Sequence, residues 1–346
     1  MAVSTTILTP QTLEGGFSHG YRPGLPEQLP LPHAPSGSRR WHMAVALVSS
    51  FIVLVMLAVV AVHGYIAWTL AHPYVAPLVS NPKLAKNLDY EDVSFASRSG
   101  RTTVDGWYIP ATVDSSRTVV FSHGYGANRE ETWVPMYELA SLLHGLRYNV
   151  LMFDYGYASS VKRTPATGGV EESQQLLAAI DYAKNRGAEE LVVWGFSMGA
   201  GTALQAALLT DDISAMILDS MFITDGDTLY HNMTQLTPLP RYPSLALIEW
   251  MLPLWTGGTR MDQIPAEGVR TTAYDMPIYM IHGTQDAKAP VQIAEQVAGN
   301  QRHALSESWI VNGGKHELLF QVRPKEYMQR AAVFLSQVHA YQAQTD

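Results

Sequence analysis

Read for hydrophobic and polar positions, the chain falls into three stretches of different character. Residues 1–42 show no sustained apolar pattern. The segment YRPGLPEQLPLPHAPSGSRR is rich in Pro, Gly and Ser and poor in large apolar side chains. Such a stretch cannot bury enough surface to offset the entropy of ordering, so 1–42 is expected to be an unfolded tail.

The second stretch is MAVALVSSFIVLVMLAVVAVHGYIAWTL, residues 43–70, which contains no Lys, Arg, Asp or Glu. About 20 helical residues cross the hydrocarbon core of a bilayer, so this run predicts one transmembrane helix in contact with lipid. A cleaved signal peptide would have an apolar region of only about 7–15 residues, close to the N-terminus. The length and the preceding tail therefore favour an uncleaved anchor in the cell membrane, with Trp68 and Tyr74 suited to the far interface. Arg39 and Arg40 abut the run on its N-terminal side, whereas the first cations beyond it are Lys83 and Lys86. By the positive-inside rule the tail faces the cytoplasm and the rest of the chain lies outside it. Residues 71–87 read as a linker.

The third stretch, 88–342, alternates between short apolar runs and amphipathic segments. EDVSFAS and TVDGWYIP alternate like the two strands of a hairpin. TVVFS (118–122), NVLMFD (149–154), LVVW (191–194), AMILD (215–219), PIYMIH (277–282) and ESWIV (307–311) are unbroken apolar runs of strand length. Runs of this kind suit strands covered on both faces of a parallel sheet. Between them, 171–186 places Leu176, Ile180 and Ala183 on one helical face, and 324–341 does the same with Tyr327, Ala331, Phe334 and Val338. The alternation predicts an α/β fold with a mostly parallel sheet and helices on both faces. The long connection 221–275 contains the helical SLALIEWML and reads as a small cap, with Met221, Phe222, Trp250 and Trp255 as candidates to line an apolar pocket.

Composition narrows the function classes. Of 346 residues, 47% are hydrophobic and only 16% charged, and the net charge is −8. Without a basic cluster, a nucleic-acid partner is excluded. The chain has no cysteine, which removes disulfides, thiolate nucleophiles and thiolate metal sites. Neither an H-E-x-x-H motif nor an acidic cluster at ligand spacing is present, so no metal or cofactor is expected.

The candidate chemistry centres on WGFSMGAG, 194–201. LVVW reads as a strand and MGAGTALQAALL as a helix, so Ser197 lies on a strand-to-helix turn inside G-x-S-x-G, Gly195 to Gly199. That is the setting of a nucleophile elbow, where a Cβ at either flanking glycine would clash with neighbouring backbone. The helix N-terminus points free N–H groups at developing negative charge. Asp286, in IHGTQDAKAP, and His316, in WIVNGGKHELL, each follow a later strand. The order Ser197, Asp286, His316 matches the serine–acid–histidine order of the α/β-hydrolase fold. Asp219, Asp154 and Asp225 compete for the acid, and His303 and His339 for the base. Asp219 runs into a structural turn, His303 falls at the wrong end of the sheet and His339 lies in the terminal helix.

With these motifs, residues 88–342 resemble the α/β-hydrolases, in particular a single-pass, membrane-anchored, serine-aminopeptidase-like branch. FSHGYGAN, after the strand 118–122, resembles the oxyanion-hole loop of that family. The resemblance implies that the N–H of Tyr125, after Gly124, acts with that of Met198, while His123 is structural. It further implies hydrolysis of an ester, amide or peptide bond through an acyl-enzyme, on a small-molecule or peptide acyl substrate, without a cofactor. One departure stands out: many relatives carry Asp-x-Arg-Gly-x-Gly-x-Ser where this chain has DYGYASS from Asp154. Two alternatives stay open at this level. One is an acyltransferase with the same triad; the other is a catalytically silent, membrane-tethered binding protein.

Overall fold

The computed structural model describes residues 36–345. The chain divides into two units, Met1–Val55 and Met56–Asp346. The expected unfolded tail lies almost wholly outside the described residues. Helix α1 (Ser36–Ala71) contains the apolar run and begins a few residues before it. By length and composition it is able to cross a membrane. In the first unit, Leu47, Phe51 and Leu54 are exposed.

In the second unit the chain enters as the last turns of α1. Its spacing is telling: His63, Ala67 and Ala71 are buried at helical intervals, so these turns pack against protein. The segment expected as a plain linker holds a short helix, α2 (Pro82–Lys86). Asn81 caps it by accepting from the N–H of Leu84, and Pro82 occupies the first turn, where its missing N–H costs nothing.

The sheet has eight strands in the order β1-β2-β4-β3-β5-β6-β7-β8. They are β1 (Glu91–Ala96), β2 (Thr103–Ile109), β3 (Arg117–Ser122), β4 (Asn149–Phe153), β5 (Glu190–Phe196), β6 (Ala215–Asp219), β7 (Ile278–Gly283) and β8 (Glu307–Val311). The hairpin β1–β2 is antiparallel and joins β4 antiparallel; all pairings from β4 through β8 are parallel. Each strand falls on an apolar or alternating run expected from the sequence. The helices are α3 (Met136–Gly145), α4 (Val170–Asn185), α5 (Met198–Ala207), α6 (Gly226–Leu236), α7 (Arg241–Trp255), α8 (Ala266–Thr271), α9 (Val291–Asn300), α10 (Leu319–Val322) and α11 (Pro324–Thr345).

Two apolar layers explain why the central strands are apolar at every position. Val120 and Val193 face a cluster with Leu176, Ile180 and Ala203 of the helices α4 and α5. Their neighbours Val119, Phe121, Val192 and Trp194 face the other side, with Leu139 of α3 and Phe334 and Val338 of α11. Each fully buried side chain of this size stabilises the fold by about 1.5–3 kcal/mol.

Within the segment expected as a cap, helices α6 and α7 share a small core of Leu229, Met233, Leu245, Ile248 and Met251 that also takes in Ala67 of α1. The expected cap segment 221–275 does not pack as one unit. Met221 and Ile223 belong to the main core, as does Val269 of α8, because α8 lies in the helical layer beside α5 and α9.

From β3 the chain passes to β4 on one side and returns to β5 on the other. The loops after β3 and β5 therefore diverge at their C-terminal ends, which is where an open α/β sheet offers a crevice.

Candidate active site

Strand β5 runs into α5 through a single residue, Ser197, whose backbone adopts φ 48° and ψ −119°. A non-glycine residue in this region carries strain on the order of 1–3 kcal/mol and persists only where its surroundings enforce it. Four backbone hydrogen bonds do so. The N–H of Ser197 donates to Asp219 O at 2.9 Å, and its carbonyl accepts from Ala200 at 3.0 Å, Gly201 at 3.2 Å and Phe222 at 3.0 Å. The flanking glycines are required by close approach. A Cβ on Gly195 would lie 2.6 Å from Ala200 Cα, and one on Gly199 would collide with the carbonyl of Ser122.

The loops after β7 and β8 are tied together, and they carry the other two candidate side chains. Thr284 N–H donates to Val311 O at 3.1 Å and Gln285 N–H to Gly314 O at 2.9 Å. This brings His316 between Ser197 and Asp286. Ser197 Oγ lies 2.7 Å from His316 Nε2, and His316 Nδ1 lies 2.7 Å from Asp286 Oδ2. The other carboxylate oxygen of Asp286 accepts the N–H groups of Lys288 at 2.9 Å and Ala289 at 2.8 Å. With Asp286 so fixed, the imidazole carries its proton on Nδ1 and leaves Nε2 to accept from the serine hydroxyl. The cap braces this acid loop: Asn232 Nδ2 donates to Lys288 O at 2.8 Å and His231 Nε2 to Ala287 O at 2.8 Å.

The N–H of Met198 opens α5, and that of Tyr125 follows Gly124 in the loop after β3. Among the described residues, neither has a hydrogen-bond partner. The Tyr125 phenol donates to Leu70 O at 2.8 Å, at the end of α1. His123 is buried, and burial pushes its imidazole down to about 4. It is a neutral brace, donating from Nδ1 to Gly124 O at 3.0 Å and accepting from Tyr155 N–H on Nε2 at 3.0 Å. The loop that lacks the arginine of many relatives supplies tyrosines instead. Tyr157 donates to Gly124 O at 2.9 Å, and the Tyr155 hydroxyl lies 2.6 Å from Ser122 Oγ.

The competing carboxylates have other partners. Asp154 pairs with Arg129 at 2.8 Å. Asp225 caps α6 and pairs with Arg270. Asp219 accepts from Tyr327 at 2.6 Å and Ser220 at 2.8 Å. His339 bonds Glu190 at 2.8 Å, and His303 packs on Tyr341. Of the apolar cap candidates, Met221 is buried in the main core, while Trp250 is 70% exposed and Trp255 also faces outward. Two residues beside the site carried no signal in the sequence: Glu131, which accepts the N–H of Gly124 at 2.8 Å, and Glu317, which follows His316. A glutamate reads as a surface residue until a fold buries it. Among the described residues, no group of three His, Asp or Glu side chains is arranged to hold a metal ion.

Residues 119–330 match the alpha/beta hydrolase family. Among curated proteins, the uncharacterized protein YfhR of Escherichia coli (strain K12) is 26% identical over 214 residues, covering 60% of this chain and 66% of YfhR, just under two thirds of its length. YfhR of Salmonella typhimurium is 27% identical over 241 residues, covering 64% of this chain and 73% of that protein. Among solved structures, the esterase Pf2001 of Pyrococcus furiosus has a TM-score of 0.61 at 24% identity, covering 77% of this chain and 98% of its own. Est1E of Butyrivibrio proteoclasticus, solved with ferulic acid bound, has a TM-score of 0.55 at 14% identity, covering 73% of this chain and 99% of its own. At these identities the two structures speak for the fold alone.

Proposed function

This chain belongs to the alpha/beta hydrolase family, and from that premise we propose that it is a membrane-anchored serine hydrolase that cleaves an ester, amide or peptide bond. The observation that carries the reading is the unbroken relay of two 2.7 Å contacts from Ser197 Oγ through His316 to Asp286.

In this reading Ser197 Oγ attacks the substrate carbonyl carbon as its proton passes to His316 Nε2. Asp286 stabilises the resulting imidazolium through Nδ1–H. The N–H groups of Tyr125 and Met198 receive the oxyanion. Collapse of the tetrahedral intermediate breaks the scissile bond, and the leaving alcohol or amine takes the proton from Nε2. Water then attacks the acyl-enzyme with His316 as base, the acid is released and Ser197 regains its proton. The strain at Ser197 serves this chemistry, because the turn holds Oγ clear of the helix that follows. Helix α1 anchors the domain in lipid through the apolar turns that precede His63, with the catalytic domain on the side away from the cytoplasm. Labelling by a fluorophosphonate probe tests the reading: the parent chain labels and Ser197→Ala does not. Undiminished labelling of the variant would remove Ser197 from the mechanism.

A further inference from the structure

Behind the loop that presents the Tyr125 N–H lies a pair of carboxyl groups that the mechanism above leaves unused. Glu131 is 1% exposed and Glu317 is 6% exposed. Both touch Gly124: a Cβ there would collide with Glu131 Oε1 and with Glu317 Oε1. Glu131 Oε1 accepts the Gly124 N–H at 2.8 Å. Glu317 Oε2 accepts the indole N–H of Trp133 at 2.7 Å, and the Glu317 N–H donates to Ser220 Oγ at 2.8 Å. Each group keeps one buried oxygen without a partner, Oε2 of Glu131 and Oε1 of Glu317. Both residues also hold left-handed backbone, φ 37° at Glu131 and φ 57° at Glu317, a conformation that non-glycine residues adopt at a cost.

The two carboxyl groups meet at Gly124, and each has a buried oxygen for which a single shared proton supplies the missing partner. We propose that Glu131 and Glu317 share that proton and, in this form, act as positioning residues that hold the Gly124–Tyr125 peptide so that the Tyr125 N–H points into the oxyanion hole. The proposal rests on the reading of Ser197 as nucleophile. Loss of the shared proton to hydroxide leaves two buried anions facing each other against one glycine, which forces the loop apart. The neighbouring charges oppose that loss. Asp219 faces the pair from the end of β6, and burial together with Glu317 and Asp219 holds the Glu131 carboxyl well above the usual range. The His316 Nε2 atom is 4.0 Å from Glu317 Oε2. The nearby Arg129 is engaged by Asp154, and Tyr327 by Asp219. The site therefore carries a built-in alkaline limit, set by a proton outside the relay.

The test uses the full chain in detergent and the labelling rate by a fluorophosphonate, so no substrate need be known. Glu131→Gln keeps the acceptor for Gly124 N–H and offers an amide N–H in place of the shared proton. Its labelling rate at pH 7 is expected to stay within about threefold of the parent, with the alkaline fall displaced by at least one pH unit. Glu131→Ala orphans the Gly124 N–H, and its maximal labelling rate is expected to drop at least tenfold with little change in the half-saturating probe concentration. Superimposable alkaline limbs for the parent and Glu131→Gln overturn the proposal, as does a glutamine variant as damaged as the alanine one. Ser197→Ala, run alongside, separates the two readings. Persistent labelling there sinks the nucleophile assignment, whereas its loss with unmoved limbs sinks only the carboxyl pair.

Discussion

Tyr125 and Leu70 are joined by a 2.8 Å hydrogen bond from the phenol to the backbone carbonyl, so the residue proposed as an oxyanion donor is tied by its side chain to the last turn of α1. The apolar helix is thus part of the folded domain at its C-terminal end. Ala166 N–H donates to Ala71 O at 2.7 Å, Asn128 Nδ2 to Ala76 O at 2.9 Å, and the Val79 and Ser80 N–H groups to Glu130.

A chain beginning at Asn81 loses all of these bonds and exposes the cap core beside Ala67. At about 0.5–1.5 kcal/mol per hydrogen bond, the loss is several kcal/mol. The expected result is a fall in Tm of roughly 10 °C relative to a chain beginning at Met56 in detergent, with slower fluorophosphonate labelling. Equal Tm and equal labelling would show that the helix end is dispensable.

Ser197→Ala and His316→Ala are each expected to remove nearly all turnover, and the double variant to be little worse than either. Groups that act as one relay are not additive. Asp286→Asn should cost on the order of 10⁴ in rate, because an amide in place of Oδ2 favours the wrong imidazole tautomer. Hydrolysis of an activated acyl ester measures all of these, and additive losses would argue that the three side chains do not work together.

Gly124→Ala introduces a Cβ into the two glutamate oxygens behind the loop. The loop must shift, and the Tyr125 N–H moves with it. A loss of about 10²-fold in labelling rate is expected, the scale of one oxyanion donor, with the fold retained by circular dichroism. A parental labelling rate would place the donor elsewhere.

Asp219 is buried, and burial raises its carboxyl to about 7. The folded chain therefore holds this proton more tightly than the unfolded one, whose carboxyl titrates near 3.8. The associated stability is fully present below about pH 4 and is lost as pH rises towards 7. Asp219→Asn cannot titrate, so its Tm is expected to fall less than the parent's between pH 4.5 and 7.5. Parallel Tm curves would assign the pH dependence to other groups.

The proposed orientation rests on Arg39 and Arg40 beside the apolar run. Protease added to intact cells is expected to digest the hydrolase domain and to leave an N-terminal epitope tag protected. The opposite pattern would place the active site in the cytoplasm.

The sequence alone carried the alternation of apolar runs and amphipathic segments, and with it every strand, because strands buried on both faces must be apolar at each position. It carried Ser197 as well, since a turn that forces backbone within 2.6 Å of Gly195 admits only glycine there, and that demand is local. The placement of Asp286 and His316 after later strands was equally legible. What only the tertiary structure decided was which long-range neighbours meet. The sequence distance from Leu70 to Tyr125, from Ser197 to His316, or from Glu131 to Glu317 holds no trace of contact. Glu131 and Glu317 look like ordinary surface carboxylates, and they are brought together because the parallel strands β3 and β8 end on the same C-terminal side of the sheet. The cap boundary was decided the same way: α8 is short and carries no mark of its layer, and it is the packing of Val269 into the main core that removes it from the cap.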